Sequence, residues 1–222
     1  MRGGIPICWP WFGLQPGRVQ HGFARKSLWT LFGTTVNGRG ETVLRLGLQE
    51  SESSREHFPY AFVAEYSITV GKSLSLELKT TNSDEKAFEL SQALHTYFAV
   101  DSIDNVAIEG FEGINYIDTL ENNAICTQEG PITINAEVDR IYVNDRPTSL
   151  LSDGKRRIEI SKTGSRSSVV WNPWIGKAAS MADFEDEGYR HMVCIETANA
   201  ASDTRTLQPG DSHTVTQRIA LI

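Results

Sequence analysis

The sequence has few cysteines and no excess of positive charge. Its three cysteines, Cys8, Cys126 and Cys194, lie too far apart to form a C-x-x-C zinc motif, so we expect reduced thiols instead of a disulfide framework. A net charge of −7 disfavours nucleic-acid binding, which usually needs a basic stripe. We see no apolar run long enough to span a membrane and no basic-then-apolar signal sequence, and we therefore expect a cytoplasmic protein.

The short motifs that reveal nucleotide and hydrolytic sites are also missing. There is no G-x-x-x-x-G-K-[ST] loop, no G-x-G-x-x-G turn, no H-E-x-x-H helix and no G-x-S-x-G elbow. The five histidines are scattered, and their spacing does not indicate a metal site. We expect neither a metal nor a cofactor.

Hydrophobic residues recur with a period of two, which predicts an all-β fold. Asn37-Gly38 and Gly71-Lys72 are turn dipeptides between alternating runs, and each predicts a hairpin. No window predicts an amphipathic helix, no domain linker is visible, and residues 1–222 are predicted to form a single β-sandwich domain with few short helices. The polar segments 50–56 and 183–188 are predicted to be solvated loops. Strands are predicted at residues 29–36, 42–48, 62–70, 73–79, 88–100, 132–143, 157–161, 167–171, 191–197 and 212–222.

The densest block of the chain lies at residues 2–25. Glycines, prolines and aromatic residues alternate from Arg2 to Gly13, and the block ends on Gln20-His21-Gly22-Phe23-Ala24-Arg25. Glycine permits close backbone approach and aromatic rings supply flat apolar walls. The composition is typical of a pocket wall that carries charge on its arginines.

Two residues further along the chain are candidates for proton transfer. In the predicted strand 88–100, His95 lies on the face opposite the apolar residues, so it is either a structural histidine or a functional one. Glu196 ends a buried apolar run, where desolvation raises a carboxyl pKa and prepares a general base. A structural ion pair explains such a glutamate equally well.

Two further clusters contain residue types that bind sugars. Trp171 and Asn172 supply a stacking face and an amide, although a packed turn that closes the core explains them as well. Asp139 and Arg140 lie on opposite faces of a predicted strand, and a surface ion pair is the alternative there.

Together these blocks resemble the hexose-6-phosphate mutarotases (glucose-6-phosphate 1-epimerases), a phosphosugar branch of the aldose 1-epimerases. The resemblance implies a large antiparallel β-sandwich of the galactose mutarotase (supersandwich) type, in agreement with the period of two. It runs from end to end of the chain and is carried by segments 2–13, 21–25, 93–98, 138–142, 171–173 and 193–198.

The resemblance also implies roles at matching positions. His95 matches the general acid and Glu196 the general base of α/β anomer interconversion, with no cofactor. Arg2 and Arg25 match phosphate-binding arginines and Asp139 a residue that binds sugar hydroxyls. Gln20 and His21 are expected close to the sugar, and roles for Trp171 and Asn172 are implied less firmly. The expected ligand is a hexose 6-phosphate, with no nucleic-acid or membrane partner.

Three expectations remain open at this stage. Family members usually carry strands before the Arg2 block, so we expect this chain to lack them and to be either a monomer or an edge-paired dimer. A non-catalytic carbohydrate-binding module on the same fold is one alternative function. A mutarotase for unphosphorylated aldoses is the other.

Overall fold

Alternating side chains build two large antiparallel sheets that pack face to face. The computed structural model describes residues 2–222, and no helix among them is long and apolar enough to cross a membrane. The strands are β1 (Ile7–Cys8), β2 (Thr30–Val36), β3 (Thr42–Gln49), β4 (Phe62–Val70), β5 (Ser73–Asn82), β6 (Phe88–Leu90), β7 (Gln92–Leu94), β8 (Tyr97–Ala99), β9 (Ala107–Glu109), β10 (Asn115–Asp118), β11 (Ala124–Thr127), β12 (Val138–Val143), β13 (Thr148–Ser152), β14 (Arg157–Thr163), β15 (Ser167–Asn172), β16 (Met192–Asn199), β17 (Arg205–Leu207) and β18 (Ser212–Leu221). The two α-helices are α1 (Glu52–Arg55) and α2 (Trp174–Ser180).

One sheet, which we call the site sheet, has the strand order β1-β7-β16-β15-β12-β10-β11, with β8 also paired to β16. The back sheet has the order β2-β3-β4-β5-β18-β14-β13-β9, and β6 and β17 form a separate two-stranded ribbon. The predicted hairpins are confirmed, because β2 pairs with β3 and β4 pairs with β5 in antiparallel register.

The inner faces of the two sheets share one apolar interior. Val193 and Ile195 of β16 belong to the same buried cluster as Ile158 and Ile160 of β14. Because side chains alternate along a strand, Met192, Cys194 and Glu196 point from β16 to the outer face of the site sheet. The outer face is also covered, since every residue of β16 is buried.

Three local predictions are wrong, two because of tertiary contacts and one because of a local helix cap. The predicted strand 88–100 is divided into β6, β7 and β8, because β6 leaves the site sheet to pair with β17. The predicted strand 132–143 begins only at Val138, since Ile132 is held by an isolated bridge to Ile108 and the backbone bends at residues 135–136. Segment 50–56 contains the one-turn helix α1, which Ser51 caps through Ser54.

The N-terminal block folds back on itself at one close backbone approach. Gly22 forms an isolated bridge with Trp9, whose carbonyl accepts hydrogen bonds from Phe23 N at 3.0 Å and Ala24 N at 3.3 Å. The Trp9 indole is fully buried and donates to Thr80 Oγ1 at 2.9 Å. This fold-back places Arg2 and Arg25 on the same side of the site sheet.

We expect Gly22→Ala to unfold the block. A Cβ at residue 22 would lie 1.9 Å from the Trp9 carbonyl oxygen, and the backbone there has a φ of +68°. The substitution should lower the free energy of unfolding by about 2–5 kcal/mol in urea denaturation. Gly17→Ala is the control, since its φ is +73° but the space around it is open, and it should cost about 1–2 kcal/mol. Equal losses in the two variants would contradict the role given to the Gly22 contact.

Candidate active site

The site is centred on a buried contact between a histidine and a carboxylate. His95 Nε2 lies 3.3 Å from Glu196 Oε1, and the two side chains are only 9% and 2% exposed. Neither Glu196 Oε2 nor His95 Nδ1 has another partner of hydrogen-bond geometry among residues 2–222. Buried polar groups are normally satisfied, and exceptions are concentrated where a ligand or a proton is handled.

The backbone brings this pair together at the break between β7 and β8. His95 N donates to Pro6 O at 3.0 Å, and Ile195 N donates to the carbonyl of Thr96 at 3.2 Å. The Thr96 hydroxyl points the other way and donates to Gln217 Oε1 of the back sheet at 2.6 Å. His95 therefore projects outward beside β16, on the face that carries Glu196.

A cleft of about 680 Å³ opens over His95, and the N-terminal block forms most of its wall. Four of the predicted substrate-binding residues, Arg2, Gln20, His21 and Arg25, line this cleft together with His95. The other ring-bearing or charged side chains of the wall are those of Lys26, Trp29, Tyr97 and Asp183.

The two arginines of the cleft are held by different contacts. Arg2 Nε lies 3.0 Å from Asp183 Oδ1, and its guanidinium also interacts with the Tyr97 hydroxyl. Arg25 Nη2 donates to the carbonyl of Gln20 at 2.8 Å, while the Arg25 side chain remains exposed. Both charges add to the lowering of the His95 pKa, after burial and His21.

His21 is held as a neutral donor. Gly13 N donates to His21 Nδ1 at 3.2 Å, and His21 N donates to Gly13 O at 2.9 Å. Because Nδ1 accepts, the proton of the neutral ring resides on Nε2. Burial, followed by the charges of Arg25 and Arg2, lowers the pKa of His21 to about 4, so the ring carries no charge at neutral pH.

The remaining predicted residues lie further along the site sheet and are not equivalent. Trp171 packs edge-on against His95, with ring centroids 6.1 Å apart. Asp139 is the ladder partner of Trp171 and shares its face. Asn172 points inward: Nδ2 donates to the carbonyls of Tyr189 and Met192, Oδ1 accepts from Trp174 N, and the residue is fully buried. Its position fits the packed-turn alternative, because no polar atom of Asn172 faces the cleft.

Comparison with known proteins identifies the family of this chain. The family model for aldose 1-epimerase matches residues 1–220. The chain belongs to the aldose 1-epimerase family.

Named relatives include two bacterial proteins and one plant protein. The "Putative glucose-6-phosphate 1-epimerase" of Cenchrus ciliaris is 35% identical over 222 residues, which are 95% of this chain and 67% of that protein. The Escherichia coli protein of the same name is 34% identical over 96% of this chain and 72% of its own length. The Salmonella typhimurium protein of the same name is 36% identical over 91% of this chain and 68% of its own length.

Solved structures of this family have the same fold. The crystal structure of a "putative mutarotase" from Salmonella typhimurium superposes with a TM-score of 0.91 at 33% identity, over 100% of this chain and 74% of that one. A galactose mutarotase related enzyme from Lactobacillus acidophilus shares the fold alone, with a TM-score of 0.75 at 14% identity over 98% and 82%. The predicted galactose mutarotase-type sandwich is thereby confirmed.

The pKa values of His95 and Glu196, the two candidates for proton transfer, are shifted in opposite directions. Burial, followed by His21, Arg25 and Arg2, lowers the pKa of His95 to about 3. Burial raises the pKa of Glu196 well above its usual value; Asp139 adds to the rise and Arg25 opposes it. Between the two pKa values the pair holds a single proton, which suits a site that exchanges protons with its ligand.

Two residues of the cleft are missed by sequence reasoning. Tyr97 shares the parity of His95, and that spacing alone was a usable signal. Asp183 lies in the segment predicted to be a solvated acidic loop, and it does lie in a turn with a side chain that is 53% exposed. The sequence does not reveal that this side chain also contacts Arg2, 181 positions away. No local sequence pattern predicts such a contact.

The electrostatics predict a wide pH plateau for proton transfer. Activity needs the state with one proton on the pair, which is lost below the lowered pKa of His95 and above the raised pKa of Glu196. We therefore expect kcat to be flat through neutral pH, to fall in acid as a second proton binds, and to fall in alkali as the last proton leaves. A profile of kcat against pH checks this, and a single limb centred near the ordinary pKa of histidine would contradict it.

Proposed function

We propose that this chain interconverts the α and β anomers of a hexose 6-phosphate, with glucose 6-phosphate as the substrate to test first. The observation that supports this most is the buried His95–Glu196 contact, because its histidine lines the same cleft as Arg2 and Arg25. The names of the relatives support the same substrate class.

The chemistry needs only two protons to move. Glu196 takes the proton of the anomeric hydroxyl while protonated His95 donates to the ring oxygen; the bond from C1 to the ring oxygen breaks and C1 becomes an aldehyde. The aldehyde rotates about C1–C2, the ring oxygen attacks its other face, and both protons return. The pair alternates between ionised Glu196 with protonated His95 and neutral Glu196 with neutral His95, so its total of one proton is conserved.

The phosphate is bound away from the reacting atoms. Arg25 and Arg2 can make charge-assisted hydrogen bonds to it, and Arg2 would then exchange or share its contact with Asp183. His21 offers its Nε2 proton to a sugar oxygen, since Nδ1 is occupied by Gly13. Asp139 and Trp171 extend the same face beyond His95 and are proposed to contact the sugar hydroxyls and ring.

A binding module without catalysis is the less favoured alternative. Burying a carboxylate without a cation at hydrogen-bond distance costs free energy that binding alone would not require. A mutarotase for free aldoses is also less favoured, because two guanidinium groups in one cleft match a phosphate dianion better than an uncharged sugar.

The proposed reaction takes place within one chain. All the residues assigned to it lie in residues 2–222, so catalysis does not require a second copy. We propose a cytoplasmic location, which the three free cysteines support.

The direct test follows pure α-glucose 6-phosphate as it approaches its anomeric equilibrium. We expect the protein to accelerate this change in optical rotation well above the rate in buffer. Glucose at the same concentration measures the contribution of the phosphate. A rate indistinguishable from buffer for both sugars would refute catalysis and favour the binding module.

Arg25→Ala should separate phosphate recognition from chemistry. Loss of one charge-assisted contact is worth about 1.5–3 kcal/mol, so kcat/KM for glucose 6-phosphate should fall by about 10- to 100-fold. The value for glucose should change by less than about threefold. Arg18→Ala is the matched control, because Arg18 belongs to the same block but stacks on Trp11, 4.8 Å from its ring centroid, outside the cleft. Equal losses for the two sugars would contradict the assignment of Arg25.

A further inference from the structure

The ring of His95 is positioned without the hydrogen bond that usually orients a catalytic histidine. Such rings commonly donate or accept through the second nitrogen, which fixes both tautomer and orientation. Here Nδ1 is buried and, within residues 2–222, has no partner of hydrogen-bond geometry. Apart from the contact of Nε2 with Glu196, packing must therefore hold the ring in place.

The closest ring contact of His95 is with Tyr97. Its ring lies parallel to that of His95, with an interplanar angle of 8° and centroids 4.9 Å apart. Trp171 closes the arrangement edge-on, 6.1 Å from His95 at 77° and 6.1 Å from Tyr97 at 76°. Stacked and edge-to-face geometries are the favoured ones for aromatic pairs.

The hydroxyl end of Tyr97 reaches the part of the cleft wall that carries Arg2. Its hydroxyl interacts with the guanidinium of Arg2, whose Nε is also held by Asp183 at 3.0 Å. Tyr97 therefore contacts both the group assigned to proton transfer and one of the two groups assigned to the phosphate.

We propose that Tyr97 is a positioning residue with two separable functions: its ring holds the His95 imidazole, and its hydroxyl holds the Arg2 guanidinium. The proposal rests on the proposed function for its kinetic consequences, whereas its structural consequences can be measured without turnover. Substitution separates the two functions, because phenylalanine at position 97 keeps the ring but lacks the hydroxyl.

Tyr97→Phe should act on binding. We expect kcat within about twofold of the unmodified protein and KM for glucose 6-phosphate raised by about threefold, since Arg2 retains Asp183 but loses one partner. KM for glucose should not change.

Tyr97→Leu should act on the chemical step. Loss of the stack frees the His95 ring, and we expect kcat to fall by about tenfold or more for both sugars. Tyr116→Leu is the control: it removes a buried aromatic ring that stacks with Arg140 in a different cluster, and kcat should be unchanged.

Histidine ring NMR provides a measurement that does not depend on activity. With the His95 signals identified by their loss in His95→Asn, we expect one narrow set in the unmodified protein and in Tyr97→Phe. In Tyr97→Leu the set should be shifted and broadened by exchange between ring orientations, with the remaining histidine signals in place as evidence of an intact fold.

The outcomes separate this proposal from the proposed function. If the unmodified protein accelerates no anomerisation, the proposed function fails, and the NMR comparison alone decides whether Tyr97 orients His95. Narrow, unshifted His95 signals in Tyr97→Leu would overturn the proposal, as would equal kcat losses in the Phe and Leu variants of an active protein.

Discussion

The desolvation of Glu196 is the constraint on which the rest of the structure depends. A carboxylate at 2% exposure would be strongly destabilised as an isolated charge, and its only hydrogen-bond-distance neighbour among the described residues is a histidine. The two sheets, the fully buried strand β16 and the aromatic cover over His95 together maintain that low-polarity environment. The same burial that raises the pKa of Glu196 lowers that of His95.

The architecture separates the residues proposed for proton transfer from the residues proposed for phosphate recognition. Glu196 lies on β16 and His95 lies at the break between β7 and β8, which both pair with β16, so packing restricts the movement of both side chains. Arg2 and Arg25 lie on the N-terminal block, a loop-rich wall pinned at the Trp9–Gly22 bridge. Their positive charges act on the same pair: Arg25 opposes the pKa rise of Glu196, and both arginines lower the pKa of His95. An anion bound between them would relax that effect and ease protonation of His95.

Much of the fold and part of the site can be predicted from local sequence pattern, and the features that cannot have physical causes. Period-two alternation predicts the hairpins and the outward position of His95, because strand geometry is local. Family resemblance places His95 and Glu196, but the 3.3 Å between them depends on the break between β7 and β8. Asp183 meets Arg2 through tertiary folding alone, and Asn172 turns inward because three backbone groups satisfy its amide. Contacts between residues so far apart in the chain leave no pattern in the local sequence.

The central claim is that His95 and Glu196 act as one acid–base unit. The decisive measurement is magnetisation exchange between the two anomeric signals of glucose 6-phosphate at equilibrium, for the unmodified protein, Glu196→Gln, His95→Asn and the double variant. Residues that act as a unit are non-additive, so each single variant should lose nearly all of the exchange rate and the double variant should lose little more. Additive, partial losses, with all four proteins folded, would contradict the account.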